Sequence, residues 1–263
     1  MKAVFGNIAP YPDPWVDDGY IWAYYNVTTT ESATALTYTV STVNEMWIDG
    51  VSITPATSYL FSETGEHLVK FKMSGSTIPN RFCNQRTALV RIYFPDIITQ
   101  FSGGNGAHFN QCTGLTLVRF PANLTNISYQ CFTGCTNLVI KNLSLPHITS
   151  IGSNGFRRVK ITNIVDLGEI TEIPANYIFA NNSSLKTVIL PSAITDIGAN
   201  AFNSCGTVDS FTCLAVTPPS LGTNVFLSTT LTKIYVPAGS VQAYKEASGW
   251  SSYASKIEAI PTT

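Results

Sequence analysis

The stretch IPANYIFANNSSLKTVILPSAITDI, residues 173–197, holds one full copy of a pattern that recurs over most of the chain. Aligning on its Phe179 brings Phe82, Phe109, Phe132, Phe156, Phe202 and Phe226 into phase, at spacings of 27, 23, 24, 23, 23 and 24 residues through the series. An aliphatic residue follows each phenylalanine by five to seven positions: Leu89, Leu115, Leu138, Ile161, Leu185, Val208 and Leu231. The ITDI at its end has counterparts in Ile98–Phe101, LTNI, ITSI and ITEI, so that Thr99, Thr125, Thr149, Thr171 and Thr195 form a third ladder. Self-similarity at a fixed period of this length marks a solenoid.

Inside a copy the order is aliphatic, two variable, aliphatic, one variable, aliphatic, then often proline, as in Leu185-x-x-Val188-x-Leu190-Pro191 and Leu231-x-x-Ile234-x-Val236-Pro237. The last two apolar positions differ by two, the period of a strand with one buried face. The first lies three earlier and marks a corner. Proline lacks the N–H for a sheet ladder and ends the strand. The segment from Ile197 to Cys205 is too short for a full helix and reads as a single helical or 3₁₀ turn. One copy buries too little to fold alone, so copies must stack and share a core. The chain reads as a β-rich leucine-rich-repeat solenoid, right-handed, with short parallel strands and short 3₁₀ or helical turns, a small antiparallel β cap before it and a short C-terminal helix behind it.

The run from Ile78 to Pro237, with its I-P/G-x-x-A-F-x-x-C-x-x-L-x-x-I-x-L-P logic, resembles the BspA-like leucine-rich repeat family. IGANAFNSCGTV and residues 173–197 are its best copies. The Gly-rich SGGNGAH (residues 102–108) and Gly168, where other copies have proline, depart from it and imply local distortion. Members of the family are bacterial surface or secreted proteins linked to adhesion. The resemblance therefore implies an extracellular or cell-surface location, although MKAVFGNIAP has too few apolar residues for a secretory h-region.

The ends differ in texture. The domain reading is a leader over 1–19, a β cap over 20–76, a solenoid of about seven copies over 77–238 and a C-terminal cap over 239–263. In the N-terminal part Thr34–Ser41, Glu45–Ile53 and His67–Met73 read as strands, with Asp49-Gly50 a hairpin turn. APYPDPWVDDGYIWAYY, rich in proline and aromatics, reads as a linker or adhering arm. In SVQAYKEASGW, Ser240 and Gly249 read as N-cap and stop of a helix.

Composition excludes several function classes. Charged residues are 12% of the 263, the net charge is −1 and no basic run is present, which argues against nucleic-acid binding. Nothing approaches 18 consecutive apolar residues, so no transmembrane helix is expected. Of the six cysteines, Cys112, Cys135 and Cys205 share one slot three after a ladder phenylalanine, and all six read as free core thiols. Cys131-x-x-x-Cys135 lacks zinc-site spacing. His67, His108 and His147 are scattered and read as surface loop residues, and Asp17-Asp18 as exposed loop carboxylates. Asn26, Asn123 and Asn142 match glycosylation acceptors, as Asn- and Thr-rich repeats do by chance. No nucleophile, phosphate-loop or metal motif appears. The reading is of a non-enzyme with no cofactor and no metal, monomeric.

The candidate site is the outward face of the strands. Arg91 and Tyr93, Leu117 and Arg119, Asn163 and Val165, Thr187 and Ile189, Ser210 and Thr212, Lys233 and Tyr235 fall between the inward positions. Stacking places them in two lightly charged columns with Tyr and Arg, favoured anchors for partners. Arg91, Tyr93, Leu117, Arg119, Thr187, Ile189, Thr212, Lys233 and Tyr235 are the expected face for a protein or glycan ligand in adhesion. A structural spacer, or a component of a larger extracellular or phage-like assembly, is the alternative.

Overall fold

The computed structural model describes residues 17–29, 43–56, 59–101 and 106–262. Strands β1 (Ile21–Val27), β2 (Val43–Ile48), β3 (Val51–Ile53) and β4 (Gly65–Met73) come first. Two-residue strands then alternate with longer ones: β5 (Thr77–Ile78), β6 (Leu89–Tyr93), β7 (Gln100–Phe101), β8 (Leu117–Arg119), β9 (Asn126–Ile127), β10 (Val139–Ser144), β11 (Ser150–Ile151), β12 (Lys160–Asp166), β13 (Glu172–Ile173), β14 (Thr187–Leu190), β15 (Asp196–Ile197), β16 (Gly206–Cys213), β17 (Ser220–Leu221) and β18 (Thr229–Val236). The chain closes with α1 (Val241–Glu246) and β19 (Ile257–Ala259). The long strands of successive turns pair parallel, and so do the short ones, which makes a parallel β-solenoid.

The threonine ladder builds the short-strand side. The Thr125 N–H donates to the Thr99 carbonyl at 2.7 Å, Thr149 to Thr125 at 2.8 Å and Thr195 to Thr171 at 2.7 Å. In each pair the hydroxyl donates to the same oxygen at 3.0 Å. Both ladders break once, at different turns. The long-strand sheets are β3-β2-β4-β1-β6-β8 and β10-β12-β14-β16-β18-β19; the short-strand sheets are β11-β9-β7-β5 and β13-β15-β17. Before β10 the interval between inward residues lengthens, from Leu138 to Leu143 instead of three, which displaces the strand relative to β8. Near the second break Gly168 has φ +54, and a Cβ there would lie 2.7 Å from the Pro146 carbonyl oxygen, so no side chain fits.

The interior is a column of phenylalanines. Phe82, Phe109, Phe132, Phe156, Phe179, Phe202 and Phe226 are all buried. From Phe109 onward successive rings stack face to face, 5.1–5.9 Å apart with interplanar angles of 6–16°. Phe82 meets Phe109 edge-on at 6.5 Å.

Two residues of left-handed backbone flank most of these rings. One lies two before the ring, as Gln130, Asn154, Asn200 and Asn224, and one two after it, as Gln111, Gly134, Arg158, Asn181, Ser204 and Ser228. Asparagine tolerates this region better than other side chains, which accounts for its frequency here. The helical turn expected over Ile197 to Cys205 is reduced to separate i→i+3 bonds, such as Ala201 N–H to the Gly198 carbonyl and Asn203 N–H to that of Asn200. Asn200 (φ 61) and Ser204 (φ 57) prevent these from joining into a helix.

The N-terminal strands join the solenoid through β1. It pairs antiparallel with β4, Ile21 opposite Phe71 through Val27 opposite Gly65, and antiparallel with β6, Trp22 opposite Tyr93. The arm expected over APYPDPWVDDGYIWAYY is thus, from Ile21, an inner strand of the sheet. Its inward residues are Ile21, Ala23, Tyr25 and Val27, and its outward ones include Trp22 and Tyr24, so apolar side chains line both faces and period-two alternation vanishes. Asp49 (φ 50) and Gly50 (φ 82) make the expected hairpin turn between β2 and β3. The strand expected at Thr34–Ser41 lies outside the described residues.

At the other end α1 starts after Ser240, which makes no side-chain cap bond, and ends at Glu246 with Ala247 as its cap. Gly249 (φ 82) belongs to the following turn, not to the helix stop. A 3₁₀ segment (Ser251–Lys256) then leads into β19, an unforeseen strand parallel to β18. Tyr244 and Trp250, both fully buried, close the core: Tyr244 donates its hydroxyl to the Ala215 carbonyl and Trp250 its indole N–H to that of Pro219, each at 2.8 Å.

Candidate interaction face

Parallel pairing in register places the outward side chains of the long strands in columns. Arg91 lies beside Leu117, and Tyr93 beside Arg119. Asn163, Thr187, Ser210 and Lys233 line one column and Ile189, Thr212 and Tyr235 the next. Leu117 and Val165 are 41% and 36% exposed, large apolar groups turned to solvent. Because β8 and β10 do not pair, the expected residues form two groups, one on β6 and β8 and one on β14, β16 and β18. Asn142 and Ser144 of β10 lie exposed between them.

Two of these side chains also hold structure together. Arg119 donates through Nη1 to the Phe94 carbonyl at 2.6 Å and reaches the Asp96 carboxylate at 3.2 Å. Burial works to raise the Asp96 carboxyl, but the Ala122 N–H and Arg119 outweigh it and hold its pKa below the usual range. The Arg91 guanidinium lies 4.9 Å from the Tyr24 ring centroid and 3.5 Å from Glu66.

The face extends beyond the solenoid onto the N-terminal strands, which sequence reasoning missed because it left Trp22 in an arm. Trp22 and Trp47 both lie opposite Lys70, and Trp22 opposite Tyr93. The Lys70 ammonium sits 4.2 Å from the Trp22 ring centroid and 4.4 Å from that of Tyr20, and pairs with Asp18 at 2.9 Å. Tyr20 donates its hydroxyl to Glu45 at 2.7 Å, which holds the Glu45 carboxyl below its usual range. Tyr24 meets Tyr93 edge-on at 5.8 Å. Trp47, Lys70, Trp22, Tyr93 and Arg119 thus run across five strands as one half-exposed aromatic and cationic band. A signal that could have found it is the alternation in HLVKFKM, where buried Val69 and Phe71 leave Lys70 and Lys72 on the opposite face of β4.

Chemical groups away from the face have structural partners. Asp17, read as an idle loop carboxylate, accepts the Asp96 N–H at 2.8 Å, and Asp18 accepts from Tyr20 N–H and Trp22 Nε1. His108, expected on a surface loop, is fully buried with Nδ1 2.7 Å from the Pro79 carbonyl oxygen. His67 is in β4, 2.7 Å from Asp49 and stacked on Phe61 at 4.6 Å; a strand, not a loop, holds it. All six cysteines are free and buried. Burial pushes the thiols of Cys83, Cys135 and Cys205 up to about 12. Among the described residues no three His, Cys, Asp or Glu side chains converge as metal ligands, and no helix is long and apolar enough to cross a membrane.

Residues 104–232 match the BspA type leucine rich repeat region in six copies. No curated protein matches the sequence. Among solved structures, a leucine-rich repeat protein from Bacteroides ovatus is similar, at 20% identity and a TM-score of 0.49 over 69% of this chain and 50% of that one. This chain therefore spans about half the length of that protein. With its phenylalanine column, threonine ladder and parallel strands in one phase, the repeat region of this chain belongs to the BspA-type leucine-rich-repeat family.

Proposed function

We propose that this chain is a non-catalytic interaction module, displayed on a cell surface or secreted, that binds a protein partner through its long-strand face. The leucine-rich repeat is a protein-interaction module, and that coarser role comes with the family. The observation that carries the finer reading is the aromatic and cationic band over β2, β4, β1, β6 and β8. Trp, Tyr and Arg are the side chains that dominate interface energetics, because they combine large area with hydrogen bonding. Here they lie half-exposed on a rigid sheet, so binding costs little ordering.

The test is an array of purified extracellular-matrix and cell-surface proteins probed with the whole chain, each hit being re-measured with Tyr93→Ala and Tyr235→Ala. Loss of at least tenfold in affinity with one or both variants supports the face. Hits that keep full affinity overturn it, and an array without hits favours a stiff spacer.

A further inference from the structure

We infer that the turn edge of the solenoid carries a second binding site, for an anionic saccharide. The turns that hold the ladder phenylalanines, residues 79–88, 106–114, 128–137, 152–159, 174–184, 198–205 and 222–228, contain no Asp or Glu, yet they carry Arg81, Arg86, Arg157 and Arg158. Acidic residues fall elsewhere in the repeats, as at Asp96, Asp166, Glu169, Glu172 and Asp196. In a chain of net charge −1 this concentrates positive potential along one edge.

A cleft of about 660 Å³ opens on that edge, across four successive turns. Its walls include Gln85, Gln111, Thr113 and Thr136, and Arg157 and Arg158 stand at one end. Among the described residues neither guanidinium has an ion-pair partner, in contrast to Arg91 and Arg119. Arg157 is steadied over the Tyr177 ring at 4.9 Å while its Nε has no hydrogen-bond partner. Two guanidinium groups on adjacent residues match a carboxylate or sulfate, which they bind through paired N–H donors. Hydroxyl and carboxamide groups along the walls match the hydroxyls of a sugar. The cleft has no large apolar wall side chain to receive a peptide residue and no free aromatic face for a nucleic-acid base.

Backbone conformation adds an independent argument. Arg158 has φ 60, in the slot that other turns fill with Gln111, Gly134, Asn181, Ser204 or Ser228. A long side chain costs stability in this slot relative to glycine, and the two turns that carry one, with Gln111 and Arg158, both turn it into this cleft.

The test is calorimetric titration of the whole chain with a heparin-derived octasaccharide, an oligogalacturonate of similar length, a neutral malto-oligosaccharide and poly-L-glutamate. The expected result is binding of the sulfated or the uronate saccharide, weakening as salt rises, with the neutral one at least tenfold weaker. Comparing the two charged saccharides identifies sulfate or carboxylate as the recognised group. Arg157→Ala with Arg158→Asn lowers affinity at least tenfold, whereas Lys245→Ala on α1 leaves it unchanged. Arg158→Gly alone, which relieves the left-handed backbone, weakens binding while the melting temperature holds or rises. The proposal is overturned if neither charged saccharide binds, if the neutral one binds as well, if poly-L-glutamate binds as tightly, or if the arginine variants keep full affinity.

Discussion

Asn182 donates Nδ2 to the Phe156 carbonyl at 2.9 Å, and Cys205, one turn along in the same slot, donates its thiol to the Phe179 carbonyl at 3.2 Å. Cys135 does the same to Phe109 at 3.0 Å, and Thr229 to Phe202 at 2.6 Å. In these four turns the residue three after the ring is therefore a donor to the main chain of the preceding ring, and cysteine there has a hydrogen-bonding reason beyond its size; Cys112 donates instead to the Cys83 carbonyl at 2.8 Å. Asn182 also donates to Phe179 O and accepts the Ile161 N–H at 3.2 Å. Asn182→Ala strands these groups and costs roughly 2–4 kcal/mol in denaturant unfolding, at ~1–3 for each unsatisfied buried group. Asn182→Cys recovers part of the loss, and equal destabilisation by both variants contradicts the slot.

Val159 occupies that slot in the fourth turn and has no donor to offer Phe132. Buried Val→Thr changes ordinarily cost about 1–3 kcal/mol because the hydroxyl loses water. Val159→Thr meets a waiting carbonyl instead, and its unfolding free energy stays within about 1 kcal/mol of the parent. A full buried-hydroxyl penalty rules this out.

The thiols yield a pH prediction. Their folded pKa values lie above the ordinary ~8.5, so the stability they contribute is fully present below pH ~8.5 and is lost as pH rises toward about 12. Melting temperature falls over that alkaline window, and less so in Cys135→Ala on its own lowered baseline. A thiol reagent at pH 8 labels few groups in the native protein and all six after unfolding. Rapid native labelling of all six defeats this account.

Much of this architecture was legible because each repeat slot has one physical demand. Ring-to-ring stacking requires a phenylalanine in phase, and the threonine ladder requires a hydroxyl beside a strand carbonyl. What escaped was set by partners rather than by local pattern. Strand β1 is apolar on both faces because β4 and β6 flank it, and Ile257–Ala259 is a strand only because β18 offers an edge. The outward face was legible as columns from strand periodicity, but the band through Trp22 and Trp47 depends on antiparallel pairing across residues far apart in sequence. His108 gives no local sign of burial, since the Pro79 carbonyl that receives it lies 29 residues away.

Asp96 supplies a contrasting pH dependence at the acid end. Its folded pKa is depressed, so the stability it contributes is present above the ordinary carboxylate value of ~3.9 and is lost as pH falls through the lower folded value. Asp96→Asn flattens the melting-temperature profile below pH ~4 relative to the parent. Parallel acid profiles for the two proteins remove Asp96 from the account.

The last prediction separates binding from support within the outward face. Outward residues of a sheet ordinarily contribute little to stability, and Tyr235, half-exposed on β18, follows that rule. Arg119 does not, because its Nη1 joins the Phe94 carbonyl to Asp96, and the Asp96 carboxylate in turn holds the Ala122 N–H at 2.8 Å. Arg119→Ala therefore costs about 1–2 kcal/mol, the range for a charged hydrogen bond that is partly solvated, while Tyr235→Ala costs under about 0.5. Both are read from chemical denaturation of the whole chain. If Tyr235→Ala proves the more damaging, the strand faces near β18 are reversed. If Arg119→Ala is silent, its guanidinium is free in solution, and a partner is left as the reason for an arginine on this face.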